Sequence, residues 1–345
     1  MQRGVLMLVA GSIAAAVALE LLLRLLPVPT STRTGYSVDE RILTYPPHHR
    51  WVSSTSWDLR APQRQRSNNL GFLATRDFVP DARAVALIGD SYVEASMLNV
   101  SERLAAQLET TLGGRPVYAM GGPGSSLLDY AERIRFAADR LAVRDMVLVI
   151  ERGDIAQSLC GSGNVHAACL APDTLAPRTE RYAPSSLAQR VLRESALAQY
   201  VAGQLRASPQ RLWERFVATA APVTEPHAAP AVAKVRAAAP AADPRLERVL
   251  DVFFERIKPY RSGRLILVLD SDRAALARGE ASQVPALALL SQRAAREGAI
   301  VIDTAPAFAA HIAASSLKLE VSPQDAHWNA LANGIVARLI AEGLR

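Results

Sequence analysis

The sequence predicts an α/β fold in which a five-stranded parallel sheet is covered by helices on both faces, with one N-terminal transmembrane helix ahead of it. Three observations predict it. Five short apolar runs recur at 84–88, 116–120, 146–150, 265–269 and 299–303. Stretches with apolar residues at helical spacing separate them, and apolar strands alternating with helices belong to parallel sheets buried on both sides. Ser91, Gly124 and Gly153 sit just after three of these runs, at the carboxyl edge where open α/β sheets bind their ligands.

The amino terminus comes first. Gly4 to Leu19 carries no charge, and Glu20 and Arg24 then interrupt a leucine-rich run that ends at Pro27. Val5–Leu26 is long enough to span about 30 Å of hydrocarbon. Glu20 and Arg24 are four apart, so they pair on one helix face, and Arg24 can snorkel. A cleaved signal peptide is the rival reading, but Pro27-Val28-Pro29-Thr30-Ser31 makes a poor cleavage site. Residues 1–26 therefore read as an uncleaved signal anchor. The charges flanking it, Arg3 before and Arg24, Arg33 and Arg41 after, are nearly balanced and set no orientation by themselves.

Residues 27–83 read as an irregular extension, with Pro46-Pro47, several turn residues, Trp51 and Trp57. Regular alternation starts at strand Ala84–Ile88. A helix follows, with Ser101 as its N-cap and Leu104, Leu108 and Leu112 at four-residue spacing. Strand Pro116–Met120 leads to helix Ser125–Leu141, whose Leu127, Leu128, Ala131, Ile134 and Ala138 form one stripe. Strand Met146–Ile150 comes next. An insertion at about 156–243 holds a cysteine loop, an amphipathic stretch near Ser185–Glu214 and an Ala/Pro/Val-rich linker at 218–240. The alternation resumes with helix Pro244–Ile257, strand Leu265–Leu269, helix Val284–Glu297, strand Ala299–Asp303 and helix Asn329–Leu344. Residues 84–345 thus form one domain with an insertion.

The net charge is +6. The arginines are scattered, with no basic run and no aromatic interleaving, so nucleic acid is not an expected partner. Such a surface tolerates anionic neighbours such as lipid head groups or acidic glycans. Cys160 and Cys169 are the only cysteines. In an oxidising compartment they close a small loop; in a reducing one they are two buried thiols. A zinc site is not expected, because His166 lies between them without a fourth ligand. Nothing in the sequence implies a cofactor.

The chemistry concentrates at two places. Gly89-Asp90-Ser91 closes the first strand, and a more helical segment follows. A serine on a strand-to-helix turn exposes its hydroxyl at the sheet edge, and the N–H groups of the next turn face a developing oxyanion. Such a hydroxyl needs a base, and the base needs an orienting partner. Asp325 and His327 supply that pair just before the last helix; two apart in extended chain, their side chains lie on one side. The other histidines, His48, His49, His166, His227 and His311, have no comparable setting.

These blocks resemble the SGNH (GDSL-like) hydrolases. Gly89, Asp90 and Ser91 match the first block of that family. Val117 to Gly124 resembles the second, whose glycine gives a backbone oxyanion donor; Gly124 is its counterpart here, with Gly121 or Gly122 as alternatives. Asp325-Ala326-His327-Trp328-Asn329 resembles the last block in the form found in membrane-anchored relatives. Asn68-Asn69-Leu70-Gly71-Phe72 resembles an element that precedes the catalytic domain in those relatives. The resemblance implies a three-layer flavodoxin-like sandwich, with Ser91 as nucleophile, His327 as base and Asp325 as its orienting acid. It also implies an inner-membrane, single-pass protein whose catalytic domain faces the periplasm or the exterior. The implied function is a serine esterase or O-acyltransferase acting on a small ester, first of all acetyl groups of a surface glycan, with polysaccharide-assembly proteins as further partners. A lipid-active esterase is a further reading, resting on the membrane tether alone.

One block departs from the pattern. The third normally reads Gly-x-Asn-Asp, and its asparagine amide completes the oxyanion hole. Here Glu151-Arg152-Gly153-Asp154 stands there, with Gly153 in the asparagine position. Three outcomes are open: a slow enzyme, Arg152 as substitute donor, or a fold that binds glycan without turnover.

Overall fold

The structure is a computed structural model, described for residues 2–29, 34–55, 58–162, 168–180, 186–201, 205, 243–323 and 325–345. The chain divides into two compact units. The larger comprises residues 33–50, 65–183 and 242–345; the smaller comprises 1–32, 51–64 and 184–241. Trp57, His166, Ser185, His227 and the 218–240 linker lie outside the described residues.

Helix α1 runs from Gln2 to Leu25. It is long and apolar enough to cross a membrane. Arg24 Nε donates to Glu20 Oε1 at 2.8 Å, so the two charges do pair. The stretch read as irregular holds four strands instead: β1 (Gly35–Asp39), β2 (Ile42–Thr44), β3 (Arg50–Thr55) and β4 (Arg60–Arg66), paired β1 with β2 and β3 with β4. They escape a pattern search because they are short and half polar, and β4 carries Pro62, a residue confined to sheet edges.

The larger unit is built on β5 (Val85–Gly89), α2 (Ser91–Glu94), α3 (Leu104–Thr111), β6 (Val117–Gly121), α4 (Leu127–Leu141) and β7 (Asp145–Ile150). A small hairpin, β8 (Cys169–Leu170) with β9 (Pro177–Arg178), follows, and the Cys160–Cys169 disulfide closes the loop before it. In the smaller unit α5 (Leu187–Glu194) and α6 (Ala196–Gln199) are the described part of the amphipathic stretch. Within that unit Glu20 caps α6, accepting from Ser195 Oγ at 2.8 Å and Leu197 N at 2.9 Å. The larger unit resumes with α7 (Pro244–Ile257), β10 (Leu265–Leu269), α8 (Arg273–Ala277), α9 (Pro285–Arg296) and β11 (Ile300–Asp303). It ends with α10 (Ala305–Ala314), β12 (Glu320–Ser322), β13 (Asp325–Trp328) and α11 (Ala330–Gly343).

The main sheet has five parallel strands in the order β11-β10-β7-β5-β6. Numbered along the chain this is 2-1-3-4-5, the flavodoxin-like order, whose switch point falls between the first and third strands. Here that is the gap between the ends of β5 and β7. Side chains alternate across the sheet. Ala86, Ile88, Leu148 and Leu267 pack under α4, α7 and α9. Val85, Leu87, Val149 and Val268 pack under α3 and α11 with Phe308 and Trp328. The expected three layers are therefore present.

Two local expectations change. Ser101 is not the cap of α3: it lies in a 3₁₀ turn, Val100–Glu102, where Asn99 and Glu102 cap each other, and α3 begins only at Leu104. The proline-free apolar spacing marks the helix but not its first residue. Asp325 and His327 lie on β13, paired with β12, rather than in an open loop.

Candidate active site

Ser91 opens α2 directly after β5. Asp90 caps that helix, its Oδ1 accepting from Tyr92 N at 2.8 Å. The turn is tight because Gly89 and Gly121 end two neighbouring strands without side chains. A Cβ on Gly121 would stand 2.4 Å from Glu94 N, and one on Gly89 2.5 Å from Val93 Cγ2. Any larger residue would push α2 off the sheet.

The structure brings Ser91, His327 and Asp325 together. Ser91 Oγ lies 2.8 Å from His327 Nε2. His327 Nδ1 lies 2.5 Å from Asp325 Oδ1, and His327 N also donates to that oxygen at 3.1 Å. With the carboxylate accepting from Nδ1–H, Nε2 is left free to take the serine proton. Burial pushes the imidazole toward its neutral form, but the Asp325 hydrogen bond and charge outweigh it and raise the His327 pKa above its usual value. The same hydrogen bond from His327 lowers the Asp325 pKa.

Each residue of the C-terminal block has a physical role. The Tyr92 ring packs on His327 at 4.8 Å between centroids and on Trp328 edge-on at 5.2 Å. Trp328 is buried and donates from Nε1 to Asp270 Oδ1 at 2.9 Å. Asn329 caps α11, its Oδ1 accepting from Leu331 N and Ala332 N at 3.0 Å. The Asn68 element is a tight turn: Asn68 Oδ1 accepts from Leu70 N and Phe72 N, each at 3.0 Å. Gly71 there has φ +76°, and a Cβ would meet Tyr45 O at 2.0 Å, so only glycine fits.

The three candidate glycines of the second block separate by their hydrogen bonds. Gly121 is the last residue of β6. Gly122 N already donates to Gly89 O at 3.2 Å. Gly124 sits at φ +73°, and among the described residues nothing accepts from its N–H or from that of Ser91. Those two N–H groups are the available backbone donors.

The third block is occupied differently. Gly153 N donates to Glu151 Oε2 at 2.6 Å, so this N–H is engaged. Its φ is not positive, so the backbone there does not demand glycine. A Cβ at Gly153 would meet Gln157 Nε2 at 2.4 Å and Glu151 Oε2 at 2.9 Å. Arg152 faces carboxylates: Asp272 at 3.5 Å, and Glu151 and Asp270 at 3.8 Å. Asp154 is fully buried and closes its own loop, accepting from Glu151 N at 2.7 Å and Tyr130 Oη at 3.0 Å.

Two buried arginines near the site were not legible in the sequence. Arg133 on α4 donates to Gly89 O at 3.2 Å and to Ser125 Oγ at 2.5 Å, bracing the turns of the first two blocks at once. Arg273 on α8 binds Asp270, donates to Glu320 Oε1 at 3.0 Å and to the carbonyl of Ala326, the residue between Asp325 and His327. Tyr92 Oη donates to the same carbonyl at 3.2 Å. Cys160, Cys169 and Glu180 lie close together, but the two sulfurs are bonded to each other.

A flavodoxin-like sheet with a Ser–His–Asp constellation at the carboxyl edge of its first strand places the chain among SGNH-hydrolase-like α/β folds. No family model matches the chain, and no curated protein matches it. Solved structures do. One is a member of the lipolytic protein G-D-S-L family from Veillonella parvula, at 12% identity over 75% of this chain and 96% of that one, TM-score 0.39. Another is a lipase/acylhydrolase from Enterococcus faecalis, at 12% identity over 76% of this chain and 95% of that one, TM-score 0.36. A third is a two-domain esterase active on acetylated mannans, at 11% identity over 76% of this chain and 48% of that one, TM-score 0.34. These scores are low, and the fold class rests on the strand order and the site geometry above.

Proposed function

We propose that the protein is a membrane-anchored serine esterase or O-acyltransferase that acts on small acyl esters of a surface glycan. The observation that carries this is the chain of contacts from Ser91 Oγ to His327 Nε2 at 2.8 Å and from His327 Nδ1 to Asp325 at 2.5 Å. Ser91 Oγ attacks the ester carbonyl while its proton passes to His327 Nε2. The N–H groups of Ser91 and Gly124 receive the oxyanion. The tetrahedral adduct collapses, the carbon–oxygen bond to the alcohol breaks, and His327 returns the proton to that oxygen. Water then attacks the acyl-Ser91 carbonyl to complete hydrolysis, or a sugar hydroxyl attacks it to complete transfer.

The glycan substrate follows by analogy with anchored relatives and with the mannan esterase; no residue of this chain names it. Helix α1 serves as the anchor in the inner membrane. The Cys160–Cys169 disulfide supports a catalytic domain in an oxidising compartment, the periplasm or exterior. The deciding experiment is labelling of the detergent-solubilised chain by a fluorophosphonate probe, with acetyl-ester hydrolysis measured beside it. Labelling that Ser91→Ala removes supports the enzyme. A wild-type chain that neither labels nor hydrolyses sinks it.

A second reading has one observation in its favour. Gly153 brings no side-chain donor, and its N–H is engaged by Glu151. Loss of one oxyanion donor costs about 10²–10³ in turnover, so a glycan-binding or assembly role without turnover is the alternative.

A further inference from the structure

Four arginines from four separate stretches converge on one cavity of about 500 Å³. They are Arg41 between β1 and β2, Arg135 on α4, Arg178 in β9 and Arg256 on α7. That volume is within the range of small-molecule sites, about 300–1,000 Å³. None of the lining residues belongs to the Ser91–His327 site. The disulfide fixes one wall, since Cys169 opens the hairpin that ends in Arg178.

The arginines are not equally committed. Arg135 is fully engaged, with both Asp39 oxygens at 2.9 and 3.0 Å and Glu132 at 3.0 Å. The other three are not. Arg41 and Arg256 approach Glu132 only at 3.8 and 3.7 Å, and Arg41 lies 3.9 Å from Glu40, all beyond hydrogen-bond distance. Arg178 has no ion pair among the described residues, and it is exposed. Three guanidinium forks thus face one concavity beside Glu40 and Glu132, with no side-chain hydrogen bond among the described residues. Such forks match planar carboxylates and phosphates bidentately. The half-buried ring of Tyr260 lines the same cavity and offers an apolar face with a polar tip.

We propose that this cavity binds an anionic sugar, its carboxylate or phosphate held by Arg41, Arg178 and Arg256 and its ring packed on Tyr260. The proposal is independent of whether Ser91 is a working nucleophile.

Calorimetric titration of the full chain in detergent tests it, with trigalacturonate, glucose 6-phosphate, maltotriose and inorganic phosphate as probes. Trigalacturonate or glucose 6-phosphate should bind, more weakly as salt rises, while maltotriose does not. Binding of the first alone assigns a carboxylate, and of the second alone a phosphate. Arg178→Gln and Arg256→Gln should each weaken that binding about tenfold, and Arg178→Gln should leave ester hydrolysis unchanged. Ser91→Ala should bind as wild type does. The proposal falls if the anionic sugars bind no better than maltotriose, or if the arginine variants bind them undiminished. It falls equally if inorganic phosphate binds as tightly as the sugars, or if Ser91→Ala abolishes binding.

Discussion

His327 Nε2 stands 2.8 Å from Ser91 Oγ although the two are 236 positions apart in the chain. The sheet makes this meeting possible. Ser91 leaves the end of β5, and β13 returns the chain to that same edge before α11 packs across the face. A serine and a histidine at hydrogen-bond distance, with a carboxylate behind the histidine, form a unit whose members act together. Ser91→Ala and His327→Ala should therefore each cost several orders of magnitude in acetyl-ester turnover, with the double variant little worse than either. Steady-state rates on one ester measure this. Near-normal turnover in His327→Ala, with Ser91 essential, would mean that another base serves.

Acid should switch the activity off through His327. As the proposed base, His327 works only when neutral, and its pKa is raised by Asp325. The acid limb of kcat/KM therefore lies above the ordinary histidine value of about 6.5. Asp325→Asn removes the charge that raises it, so the limb should move to lower pH while the maximal rate falls. A pH–rate profile of both proteins checks the direction. A limb that stays in place would separate Asp325 from the titrating group.

Arg273 is expected to act by position rather than by contact with substrate. Its side chain is 4% exposed and that of Asp270 0%. It also donates to Ala326 O, between Asp325 and His327 on β13. Arg273→Met leaves the buried Asp270 with only the Trp328 N–H and Arg152 at 3.8 Å, at a cost of up to about 3–5 kcal/mol in stability. The double variant Asp270→Asn/Arg273→Met should recover much of that stability but not kcat, with KM nearly unchanged in both. Full recovery of kcat in the double variant would reduce the pair to a structural role.

The parallel sheet, its helices and the pair of motifs were legible because each is local. An apolar run, a helical stripe or a D-x-H spacing is complete within a few residues. The choice among Gly121, Gly122 and Gly124 was not, since it depends on where each N–H goes, and Gly122 donates to Gly89 on another strand. Arg273 was equally invisible: its partners at 92, 320 and 326 lie far along the chain, and only Asp270, three residues before it, is local. The strands within 35–66 failed for another reason. They carry too few apolar residues for a period of two to stand out, and Tyr45 finds its buried partner Glu94 far along the chain.

Glu94 should make stability fall as pH rises. It is 2% exposed and hydrogen-bonded by Tyr45 Oη at 2.9 and 3.0 Å, with Arg103 and Arg133 nearby. Burial pushes its pKa up to about 7, against 4.5 for an ordinary glutamate. Between these two values the folded state binds more protons than the unfolded state, so stability is lost as pH rises through that window. The span is on the order of 3 kcal/mol. Thermal unfolding at pH of about 5 and 8 should show wild type losing more Tm than Glu94→Gln, whose amide does not titrate. Parallel losses in the two proteins would show that Glu94 does not titrate in this window.

The third block offers the sharpest test of the enzyme reading. An asparagine at 153 should supply a side-chain donor to the proposed oxyanion hole, but its Cβ would meet Gln157 Nε2 at 2.4 Å and Glu151 Oε2 at 2.9 Å. Both are ends of flexible side chains, so the obstacle is removable. Gly153→Asn alone should lower acetyl-ester turnover, because the new side chain meets Gln157 Nε2 first and is forced away from the donor position. Gly153→Asn with Gln157→Ala clears the space, and turnover should then exceed wild type by up to about 10²-fold. Arg152→Ala should leave the rate within a few-fold, because its guanidinium faces Asp272, Asp270 and Glu151. Inactivation by Arg152→Ala would instead make that arginine the third donor. A double variant no faster than wild type would mean that the hole is already complete with the Ser91 and Gly124 N–H groups, and that glycine at 153 costs this protein nothing.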